Sequence, residues 1–220
     1  IAAVHFQRRK VVTMGVFQPY LEGNASAFAR YIARRTEGQR IWKNQQVSFV
    51  ECSSNNLAVA RQDFFELGLW KDVLRDRQTL WGDVEFGYRA WTRGFSIQRI
   101  HDAKLYHRDY AVSTLQAAIK RNYHIAYTVH TLLNQHPEIA DYLPMLRDKQ
   151  PIENNDPVLL MFRKIVRQMI SCPLAVKSMV AFIPLCERYG PESKALGHLY
   201  NLLISASIYR GYQHGLKIAQ

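Results

Sequence analysis

The chain has 220 residues and carries 29 Lys and Arg against 18 Asp and Glu, a formal charge of +11. Hydrophobic residues at 48% and charged residues at 21% exclude a disordered chain and suit one large or two small globular domains. The charge favours anionic partners (nucleic acid, an acidic membrane surface or phosphorylated ligands) without choosing among them, and the three distant cysteines, Cys52, Cys172 and Cys186, indicate neither a disulfide framework nor a zinc cage.

In chain order, IAAVHF (1–6) and VVTMGVF (11–17) are β-branched runs separated by a charged segment, and predict a hairpin or two neighbouring strands. NASAFARYIARR (24–35) predicts a helix with Asn24 as its cap and Phe28, Tyr31 and Ile32 on one face. VSFVECS (47–53) is a third strand candidate. NNLAVARQDFFELG predicts a turn into a short helix stopped by Gly68. KDVLRDRQT (71–79) is a polar connector. GDVEFGYRAWTRG predicts a helix entered at Asp83 and ended by Gly94, followed by two short strands, SIQRI and AKLYH, parted by HD and closed by the polar turn RDY.

From about residue 112 the pattern changes. Leu115, Ile119, Ile125, Val129 and Leu132 fall at helical spacing, and further helical segments follow, punctuated by Pro and Gly. The layout is α/β to about residue 110 and all-helical after it. The longest uninterrupted apolar run, Met179 to Cys186, falls far short of the roughly 20 residues that span a bilayer. LLMFRKIVRQMISCPLAVKSMVAFIPL interleaves Lys and Arg with apolar residues. Such a segment either lies on an anionic membrane or packs in a bundle with its basic face solvated.

The stretch LWGDVEFGYRAWTRGF (80–95) holds the acids of most interest. Asp83 stands where the helix starts, so a capping bond worth about 0.5–2 kcal/mol accounts for it. Glu85 and Arg89, four apart, make a pair worth about 0.2–0.5 kcal/mol when exposed. The flanking residues add a second reading. Trp81 and Gly82 precede the Asp, Gly87 interrupts the helix, and His107 closes the strand beyond it. An acid at a helix start and a His at a strand end suit a site for a polar substrate.

Taken together, SSNNLAVARQDFFELGLW and LWGDVEFGYRAWTRGFSIQRIHDAKLYH resemble the second half of the catalytic domain of family 2 glycosyltransferases with the GT-A fold, over about residues 47–130. The elements of the resemblance are Asn55 and Asn56, Arg61, Gly68, Asp83, Arg89, Gly94 and His107, in the family's order. It implies an α/β fold: the C-terminal half of a Rossmann-like, mixed-sheet GT-A domain over 1–110, then a helical region over 111–220. It also implies an inverting transfer of sugar from a nucleotide-sugar donor to a hydroxyl of a saccharide or lipid-linked acceptor. Asp83 would be the general base, with Glu85 as supporting acid or alternative base. Asn55, Asn56, Arg61, Trp81 and Arg89 would line or brace the substrate cleft, Arg89 by orienting Glu85, and Trp81 either facing a sugar or filling the core. His107 would be the protein ligand to a divalent metal, Mn or Mg.

Two departures stand out. The acid usual before the Asp is Gly82 here, and no D-x-D occurs in the 220 residues. In the family that motif helps hold the metal and the donor diphosphate. The resemblance therefore implies a C-terminal portion that begins just after the D-x-D region, with residues 1–46 joining the two halves of the site and no activity of its own. It implies a cytoplasmic location with peripheral contact at the inner face of the membrane. Two other readings compete. A nucleic-acid-binding module would explain the charge, but the basic residues are spread out and no recognition motif is present, so nucleic acid is not an expected partner. A non-catalytic interaction domain derived from a transferase would explain the missing motif.

Overall fold

The structure, a computed structural model, describes residues 10–21, 23–38, 45–71, 80–107, 113–190 and 193–219. The predicted strand at 1–6, all but the first residue of the connector 71–79, and the turn at 108–110 lie outside these. The chain divides into two compact units, Ile1–Tyr20 with Ala33–Arg108, and Leu21–Ile32 with Asp109–Gln220. The helical unit thus also takes residues 21–32 from the N-terminal part.

The first unit is mixed α/β, and its described residues form a four-stranded sheet in the order β2-β4-β1-β3. Strand β1 is Val11–Pro19, β2 Gln45–Gln46, β3 Leu57–Val59 and β4 Ser96–His107. The central β1 and β4 run parallel, and the short edge strands pair antiparallel to them. Val11 to Met14 are all buried, the pattern of a strand covered on both faces. β4 is one strand rather than two. Its pairing jumps from Gly15↔Ile100 to Val16↔Lys104, so His101, Asp102 and Ala103 bulge out of the ladder.

Only the start of the expected strand at 47–53 pairs with the sheet, through the Val47 N–H to the Ile97 carbonyl (2.9 Å). Phe49–Glu51 then wind into a 3-10 turn. The turn carries Phe49 inward, where its ring lies 5.3 Å from both Tyr88 and Trp91. Burying that ring outweighs the few ladder bonds a short edge strand would have gained.

Helix α1 is Ala27–Gly38, and its cap is Ser26, not Asn24: the Ser26 hydroxyl accepts from the Ala29 N–H at 3.0 Å. Helix α2 is Arg61–Glu66. It ends as expected at Gly68, which has φ +83°, and the Leu69 N–H returns to the Phe64 carbonyl. Helix α3 is Gly82–Thr92, followed by Gly94 at φ +78°.

The second unit holds α4 (Leu115–Gln135), α5 (Val158–Ile170), α6 (Pro173–Tyr189) and α7 (Lys194–Ala219). Thr114 caps α4 through the Ala117 N–H. The segment HPEIADYLPML (136–146), one of the helical segments expected after residue 112, forms 3-10 turns, Pro137–Tyr142 and Pro144–Lys149. Pro144 lacks an N–H and disfavours helical geometry at Leu143, which stands at φ −110°, ψ 69°. The core joins Phe28 of α1 to Leu115 and Ala118 of α4, Ile183 of α6, and Leu196, Tyr200 and Leu203 of α7.

Helices α4 and α7 run in the same direction at close range. A Cβ added at Gly211 would stand 2.2 Å from the Tyr123 carbonyl oxygen, and one at Gly215 would stand 2.3 Å from that of Tyr127. The step of four residues on both helices sets the parallel register and leaves no room for any side chain. Gly211→Ala is therefore expected to destabilise the protein by about 1–3 kcal/mol in urea unfolding. Gly23→Ala, where a Cβ meets nothing within 4 Å, serves as the neutral control.

Candidate active site

The candidate site is built on α3, a helix buried at Gly82 and from Val84 through Ala90. Its centre, Gly87, admits the 3-10 turn beside it: a Cβ there would lie 2.7 Å from both the Cys52 Cβ and the Phe49 carbonyl oxygen. Phe86 stacks on Trp70, with ring centroids 5.1 Å apart.

Glu85 and Arg89 are not the exposed pair that their spacing alone suggests. Their side chains are 2% and 8% exposed, and Arg89 Nε donates to Glu85 Oε1 at 2.6 Å. The same guanidinium donates from Nη1 to the Leu67 carbonyl and from Nη2 to the Leu69 carbonyl, the latter at 2.9 Å. Arg89 thus holds Glu85 and also locks α3 to the end of α2. Glu85, 2% exposed and bonded to Arg89, belongs to that brace.

Asp83 is half-buried in the first turn. It does not cap the helix: the N-cap position is Trp81, with no side-chain capping bond, and Asp83 is the second helical residue. Its charge reaches Cys52. Burial, and after it the nearby Asp83 carboxylate, pushes the Cys52 thiol up to about 12.

Trp81 is 6% exposed and belongs to the core, so it offers no face to a sugar ring. The indole exposed beside the start of α3 is Trp70, at 41%, which the sequence pattern does not single out; Trp91, 44% exposed, stands at the far end of the helix. Its Nε1 would lie 3.2 Å from a Cβ at Gly82, so the first residue of α3 is small where the indole crosses it. The signal in the sequence was Gly82 itself, a glycine opening a helix, which marks a close approach.

Asn56 braces the sheet. Its side-chain amide donates to the Ala103 carbonyl at 3.0 Å, at the β4 bulge. It passes over Gly15, where a Cβ would come within 2.0 Å of the Asn56 nitrogen. Asn55 and Arg61 are exposed, with the Arg61 guanidinium 5.8 Å from the centre of the Phe65 ring. The backbone of His107 pairs with Pro19 at the end of β4, and its side chain lies outside the described residues. The structure therefore gathers Asp83, Glu85, Arg89, Trp81 and Trp70 around one helix. Among the described residues no three His, Cys, Asp or Glu side chains converge as a metal site.

Asp83, half-buried, directly follows the glycine that the exposed Trp70 indole crosses. A carboxylate can accept from a ligand hydroxyl, and an indole can cover a C–H face. Arg89→Ala would strand the Glu85 charge in the core and is expected to cost about 3–5 kcal/mol in denaturant unfolding. In thiol titration of the native protein near pH 8, exposed Cys172 should react readily. Cys52, protonated until about pH 12, should react only on unfolding. Comparison of the chain with protein-family models, curated proteins and solved structures finds no match.

Proposed function

We propose that these residues form the acceptor side of a glycosyltransferase that moves a sugar from a nucleotide-sugar donor to an acceptor hydroxyl, with Asp83 as the general base. The observation that carries the reading is the division of labour on α3. Glu85 is consumed by the buried bond to Arg89, and Asp83, one face away in the same first turn, is the acid with access to solvent.

In this reading the acceptor hydroxyl donates to the Asp83 carboxylate, which takes the proton as the oxygen attacks the anomeric carbon. The bond from that carbon to the diphosphate breaks, and the electron pair leaves with the nucleoside diphosphate. A base in this role must lie within about 2.6–3.2 Å of the hydroxyl, so its position matters as much as its basicity. Trp70, stacked on Phe86 and stiffened by it, would steer the acceptor ring over Asp83. These 220 residues contain no D-x-D, so in this reading the groups that bind the donor would be supplied by another part of the enzyme.

The test pairs two isosteric changes in the protein that joins this chain to its donor-binding half. Asp83→Asn is expected to lower turnover by about 10²–10⁴ with unchanged thermal stability. Glu85→Gln should weaken the fold. Wild-type turnover by Asp83→Asn would sink the assignment.

A further inference from the structure

Helix α5 is inside out. With successive residues about 100° apart, Ile165, Val158, Met169, Phe162, Val166 and Leu159 follow one another around one contiguous face of about 120°. That face is the exposed one: Val158 is 83% accessible, Met169 67%, Leu159 64% and Phe162 62%. The charges point the other way. Lys164, 3% exposed, donates to Asp156 at 2.6 Å and to the Pro151 carbonyl at 2.7 Å, and Arg167 Nη2 bonds Asp148 at 2.9 Å. A helix on the surface of a water-soluble domain buries its apolar stripe and solvates its charges. Here both are reversed.

Helix α6 continues the surface. Leu174, Leu185, Tyr189 and Phe182 form an exposed strip along it, between 53% and 76% accessible. Beside that strip stand the exposed Lys177 and Arg188, and Arg163 borders the apolar face of α5. The two helices contain a single acid, Glu187, which is engaged by the Tyr200 hydroxyl at 2.6 Å.

We propose that α5 and α6 are an interfacial anchor that seats this chain on an anionic lipid surface. The apolar faces enter the acyl boundary, and Arg163, Lys177 and Arg188 extend to the headgroups. Neither helix alone is long and apolar enough to cross: at 13 and 17 residues they measure about 20 and 26 Å against a hydrocarbon core of about 30 Å. Together they would suffice by length and composition, but a 68° bend separates them and Lys164 and Arg167 are held on the protein side. In this proposal the pair lies along the surface. A second copy of the chain fits less well, because a two-fold contact through these helices would place the same cations against themselves with no exposed carboxylate on either helix to receive them.

The experiment is co-sedimentation of the full chain with vesicles of phosphatidylcholine, with and without phosphatidylserine. Binding is expected to require phosphatidylserine and to weaken with salt. Phe162→Asp with Met169→Asp, and separately Lys177→Glu with Arg188→Glu, should each weaken it by about tenfold or more at unchanged helical content. The proposal is overturned if phosphatidylserine vesicles do not capture the chain, or if neither pair of substitutions alters capture. It is also overturned if the apolar pair instead turns a dimer into a monomer with vesicle binding absent.

Discussion

One guanidinium sets the geometry of the first unit. Removing an Arg and a Glu from water costs several kcal/mol per ion, and their attraction repays it only where the remaining donors and acceptors are also satisfied. On the Arg89 side that condition is met by the two backbone carbonyls at the end of α2. Those carbonyls face it because the chain turns left-handed twice, at Gly68 and at Leu69, with φ +83° and +65°. Holding a leucine in that conformation costs about 1–2 kcal/mol, which the charge-assisted bond to its own carbonyl offsets. The double turn then delivers Trp70 across Gly82. The positions of α2, the indole and the first turn of α3 thus share one cause.

This arrangement explains why two acids separated by one residue have such different fates. Glu85 faces the core, where the buried bond from Arg89 to Oε1 holds its carboxylate. Asp83 faces the rim of the same helix, where water remains accessible, and its charge still extends inward far enough to oppose ionisation of Cys52. A base needs access, and a brace needs burial. The helical period of 3.6 residues separates the two requirements within a single turn.

Much of the frame was legible in the sequence because it depends on local chemistry. Gly68 stops α2, Gly94 ends α3, and the change near residue 110 from mixed to purely helical pattern follows from periodicity. What escaped was set by distant partners. Ser26 and Asn24 are both good caps, and only the path of the chain selects Ser26. Glu85 and Arg89 read as a solvated pair because their spacing carries no record of the Leu67 and Leu69 carbonyls that bury them. Trp81 and Trp70 look equivalent as indoles on either side of a polar connector, yet one fills the core and the other covers a glycine. The strand expected at 47–53 failed for the same reason, since Phe49 is drawn inward by Tyr88 and Trp91, neither of them a neighbour in sequence.

The second unit applies the same physics to a different end. In α5 the amphipathic pattern is plain in the sequence, but a pattern does not say which side faces water. That is decided by Asp148 and Asp156, two carboxylates in the segment leading into the helix, which give Arg167 and Lys164 partners on the protein side. Once those cations are neutralised internally, the helix gains nothing by turning its charged side outward, and its apolar side is left facing out. The chain's net charge of +11 is thereby spent unevenly. The cations still exposed on α5 and α6 border apolar strips instead of covering them. Such an edge is costly in water alone and favourable where water meets an anionic, apolar phase.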